Sequence, residues 1–101
     1  MSELFCKKSL ENAILKLENA SDKKINKELI ADCYLLLMRY KTPLSRQYDE
    51  SVSGFCAELC SHISNKHHFP SDNVKRKWKN KLIVYLTYAK DHLDEFKTLL
   101  K

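Results

Sequence analysis

Apolar residues along this chain recur at steps of three and four rather than two, the period of helices that bury one stripe. Leu10, Ala13, Ile14 and Leu17 form such a stripe in a first segment running from about Glu3 to Asn19, with Phe5 near its start. The polar stretch Ser21–Lys24 ends it. Asn26 then stands where a helix needs a cap, because its side-chain oxygen can accept from the free amides of a first turn. Ile25 and Ile30 flank it as a hydrophobic staple. The helix that follows is apolar over most of its girth, with Leu35 and Met38 added to Leu29, Cys33, Leu36 and Leu37. That pattern predicts a central helix buried on several sides.

Thr42-Pro43 predicts the cap and first residue of a third helix, since Pro loses nothing where the amide is free. Leu44, Tyr48, Val52, Phe55, Leu59 and Ile63 carry its stripe, which fits one helix from about Pro43 to Asn65. Gly54 and the polar run Asp49–Ser53 allow a break into two shorter helices. Ser71 caps a fourth helix whose stripe includes Val74, Trp78, Leu82, Tyr85, Ala89 and Phe96 and continues almost to Lys101. Some 29 residues at about 1.5 Å each give roughly 43 Å, longer than a domain of this size is wide. Such a helix must bend, or its end must project.

Composition agrees with helices. A single Gly and two Pro in 101 residues leave too few turn formers for a sheet protein. The expected architecture is all-α, a bundle of four or five helices with a long C-terminal helix, formed as one domain over residues 1–101. No apolar run approaches the ~20 residues of a membrane span, and Met1–Leu10 lacks a secretory signal pattern. Cys6, Cys33, Cys56 and Cys60 therefore read as reduced thiols of a cytoplasmic or nuclear protein.

Charge adds the main functional clue. The net charge is +5, and six of the eighteen Lys and Arg lie between Lys66 and Lys81, where Asp72 is the one acid. The rest of the chain is balanced. Lys66, Lys75, Arg76, Lys77, Lys79 and Lys81 thus form a basic collar around the start of the fourth helix, the end that a helix dipole makes unfavourable for cations. One reading is a contact surface for an acidic protein segment or a partner helix. An alternative is nucleic acid, whose phosphates such a collar would neutralise. A third is a solvated face whose long stems cover apolar surface. Trp78 falls on the apolar period and reads as core, whereas Tyr88 lies at the stripe's edge, available for contact. The heptad-like stripe of the last helix also permits pairing of two copies.

Chemistry is sparse. Cys56, Cys60, His62, His67 and His68 could supply zinc ligands, but the spacing is not that of paired ligands set across a turn, and Cys56 sits at the edge of an apolar stripe. No metal or cofactor is expected. The chain has no phosphate-binding glycine loop, no H-E-x-x-H and no G-x-S-x-G. Its adjacent acidic pairs, Asp49-Glu50 and Asp94-Glu95, diverge by about 100° on a helix and cannot converge on one substrate atom. The expectation is a non-catalytic adaptor that recruits a protein through the collar and Tyr88.

Overall fold

The computed structural model describes residues 7–64 and 70–99. Six α-helices occupy them: α1 (Lys7–Asn19), α2 (Lys27–Arg39), α3 (Lys41–Gln47), α4 (Val52–Ser64), α5 (Asp72–Asp91) and α6 (Leu93–Leu99). A 3-10 turn, Asp22–Lys24, joins α1 to α2, and no strand occurs among the described residues. The architecture is an all-α bundle.

The axis of the bundle is α5. It packs against α1, the 3-10 turn, α2 and α6, while α4 closes the core from the side of α2 and α3. Trp78, Tyr40, Phe96, Leu10, Leu17 and Leu37 are all fully buried in one continuous core. Trp78 is thus core, as its place on the apolar period predicts.

Local signals explain where the elements start. Asn26 caps α2 as expected, accepting from the Leu29 amide at 2.8 Å, with Ile25 and Ile30 both fully buried beside it. Ser71 occupies the N-cap of α5, though without a capping side-chain hydrogen bond.

Four expectations need correction. The predicted third helix is two. It breaks between Gln47 and Val52, which overlaps the polar run Asp49–Ser53 that allows a break and lies upstream of Gly54, a residue inside α4. Asp49 Oδ1 accepts from the Ser51 amide at 2.9 Å, a local bond that competes with helical continuation.

Second, Thr42-Pro43 does not begin the helix. Tyr40 ends α2 by donating its amide to the Leu37 and Met38 carbonyls, and its own carbonyl accepts from Leu44 to open α3. Pro43 still sits in the first turn, where amides have no intrahelical partner.

Third, the long last helix is interrupted at His92, whose φ of −115° and ψ of 22° end α5. The chain bends there and lays Leu93 and Phe96 on the core rather than projecting. With both breaks, the described residues hold six helices instead of four or five.

Fourth, α2 is not buried on several sides. Leu35 is 60% exposed and Met38 39%, because both point away from the Cys33–Leu37 face that meets the core. The central position belongs to α5.

Candidate functional site

The basic collar is largely engaged within the chain. Lys75 Nζ lies 3.7 Å from Asp72 Oδ1, one turn earlier. Lys79 Nζ donates to the Ala20 carbonyl at 2.9 Å. Ala20 directly follows the last residue of α1, so the lysine supplies a donor where a helix leaves its carbonyls unsatisfied. The antiparallel packing of α1 on α5 thereby gives a cation at the unfavoured end of one helix a favourable place at the other's C-terminus. Lys81 Nζ stands 5.4 Å from the centre of the Phe55 ring, in a cation–π contact. Arg76 and Lys77 are exposed. Lys66 lies outside the described residues, as do His67, His68 and Cys6.

Two of the candidates, Lys81 and Tyr88, meet at an open groove along the outer face of α5. One stretch of it, about 250 Å³, is lined by Tyr48, Asp49, Asn80, Lys81, Val84 and Tyr85. The adjoining stretch, about 380 Å³, is lined by Tyr48, Ile83, Val84, Thr87, Tyr88 and Asp91. Tyr48 and Val84 belong to both, and they leave much of their surface to solvent, 45% and 48%.

The break between α3 and α4 positions the wall opposite α5. It turns Tyr48 out of the core stripe and over Tyr88, with ring centroids 4.2 Å apart and 14° between planes. On its other side Tyr88 stacks on His92 at 3.9 Å and 16°. His92 is held in place in turn by its Nδ1, 3.0 Å from the Tyr88 carbonyl. Tyr85 meets Tyr48 edge-on at 6.0 Å. Aromatic side chains with only two rotatable angles, braced on both faces, lose little entropy when something packs on them.

The groove's polar rim is ordered too. The Tyr85 hydroxyl donates to Asp49 Oδ2 at 3.2 Å and lies 3.2 Å from Ser51 Oγ. Hydrogen bonds from Ser51, together with that from Tyr85 and the positive charge of Lys81, hold the Asp49 carboxyl below its ordinary pKa. Burial pushes the Tyr85 hydroxyl up. The rim is therefore a carboxylate, a lysine and a neutral phenol.

Cys33 and Cys56 are packed thiols. Burial, assisted by Asp32, pushes Cys33 up to about 12, and burial also raises Cys56. Cys60 is exposed and hydrogen-bonds with Tyr34, whose hydroxyl it holds above the ordinary value. Among the described residues, no three His, Cys, Asp or Glu side chains gather as a metal site, and no helix is long and apolar enough to cross a membrane.

Sequence reasoning missed Tyr48 and Val84. The spacing alone puts Tyr48 on a continuous core stripe. Val84 belongs to a second stripe, Lys77, Lys81, Val84, Tyr88 and Asp91, which recur at steps of 4, 3, 4 and 3 about 100° round α5 from the first. No known protein family, curated protein or solved structure matches the chain.

Proposed function

We propose that this chain is a non-catalytic interaction module that docks a helical segment of a protein partner along the outer face of α5. The observation that carries this reading is the half-exposed pair Val84 and Tyr48 over a groove whose aromatic wall is already stacked. Tyr-rich, pre-ordered apolar centres with a polar rim are where binding energy concentrates in protein interfaces. Lys81 and Asp49 at one end, with Asp91 at the other, would set register more than affinity. Lys77, exposed one turn before Lys81 on α5, favours an acidic stretch at the partner's matching end. The free thiols Cys33, Cys56 and Cys60 fit a reducing compartment, cytoplasm or nucleus.

The test compares capture of partners by wild-type protein, by Val84→Glu and by Leu35→Glu, an equal charge placed on the exposed face of α2. Proteins retained by wild type and Leu35→Glu but lost with Val84→Glu support the groove. Equal capture by all three removes it. Labelled DNA and RNA at low salt form the third arm: binding that Arg76→Glu/Lys77→Glu abolishes and Val84→Glu leaves intact would replace this reading with nucleic-acid recognition.

A further inference from the structure

The second stripe of α5 has an internal symmetry. Lys81 and Asp91 stand five residues on either side of position 86, and Val84 and Tyr88 stand two residues on either side. Reversing the direction of the helix therefore exchanges a cation for an anion at the ends and keeps an apolar pair at the centre. At about 1.5 Å per residue the charged ends are some 15 Å apart. Asp91 is exposed, Lys81 and Tyr88 are half-buried, and Val84 is 48% exposed. All four line the groove.

We infer that the occupant of the groove is a second copy of this chain, bound antiparallel about a twofold axis near residue 86 of α5. This rests on the groove being the docking surface. In a twofold interface every contact occurs twice, so the surface must complement itself. Here Lys81 of each copy faces Asp91 of the other. Val84 enters beside Tyr88 and Tyr48 of the opposite copy. Parallel pairing would instead set Lys81 on Lys81 and Asp91 on Asp91, which the charges oppose. The contact is short beside the roughly 800 Å² per partner of a standard interface, so the dimer is weak, with a dissociation constant on the order of 100 µM.

Sedimentation equilibrium of the full chain over a range from about 10 µM to 1 mM tests this. Wild type is expected to rise from monomer to dimer mass. Lys81→Asp and Asp91→Lys, each turning two attractive pairs repulsive, are each expected to weaken association about tenfold. The decisive sample is their equimolar mixture. A Lys81→Asp chain carries two acids and an Asp91→Lys chain two lysines, so they should recover wild-type association as a mixed dimer. Misfolding of either variant would not be rescued by mixing, and circular dichroism of each alone checks the fold. A wild type that stays monomeric at 1 mM, single variants that dimerise as wild type does, or a mixture that fails to associate would each overturn the second copy as occupant. If wild type is monomeric yet Val84→Glu still loses captured proteins, the groove stands and its partner is another chain.

Discussion

The indole N–H of Trp78 donates to Glu58 Oε2 at 2.6 Å, tying the bundle's axis to α4 through the largest side chain in the core. His62, one turn on in α4, meets the same ring edge-on with centroids 4.9 Å apart. The indole therefore buries its body in the core while its one polar atom reaches a carboxylate at the margin. Glu58→Ala removes that acceptor and is expected to lower unfolding stability by about 1–2 kcal/mol, with Glu58→Gln costing less because it keeps an oxygen. Urea denaturation followed by tryptophan fluorescence measures both, and a cost for Ala no larger than for Gln would count against the bond.

Lys79 and Lys77 separate the structural from the displayed part of the collar. Lys79→Met keeps the stem and removes the donor to the Ala20 carbonyl, for an expected loss of about 1 kcal/mol. Lys77 is exposed, and Lys77→Met should stay within about 0.5 kcal/mol of wild type. Equal melting temperatures for the two variants would show that the Lys79 contact contributes nothing to the fold.

Gly54→Ala is expected to stabilise the protein by about 0.5–1 kcal/mol. Gly54 lies within α4, has no positive φ, and a Cβ there meets nothing within 4 Å. Alanine therefore gains helix propensity without strain. A lower melting temperature for the variant would mean that Gly54 is needed for its conformation after all.

Asp49 gives a pH signature. Its folded-state pKa is lowered, so the stability it contributes is present above its ordinary value of 3.8 and is lost as pH falls through the folded-state value. The stability gap between wild type and Asp49→Ala should accordingly be largest near neutral pH and shrink below about pH 3.8. Parallel urea titrations at neutral and acid pH read the gap directly. A gap that grows in acid would reverse the assigned sign.

The all-α class was legible because helical period and turn composition are properties of the sequence itself. The cap at Asn26 was legible for the same reason, being settled within a single turn. The interruptions at Tyr48 and His92 were legible only as alternatives, the first from the polar run Asp49–Ser53 and the second from the excess length of the last helix, and neither was fixed in place. Each stripe keeps its spacing straight through the break, because side chains on both sides still reach one core, and periodicity reports burial rather than backbone continuity. The exposure of Leu35 and Met38 escaped similarly, since an apolar residue can be left on the surface at modest cost. At the site, Lys81 and Tyr88 were found by charge and by edge position. Tyr48 could come only from knowing where the chain turns. The repellent placement of Lys79 at the start of α5 looked functional until α1 proved to run antiparallel beside it, which no local pattern states.

The pairing of α1 with α5 also sets the order in which the fold can form. These helices are separated in sequence by the whole of α2, α3 and α4, yet α1 has its main packing surface on α5. On a growing nascent chain, α1 must wait with Leu10, Ile14 and Leu17 uncovered until α5 has emerged. Docking is thus a late, non-local event, and the domain should fold more slowly than a bundle of its size built only from neighbouring hairpins.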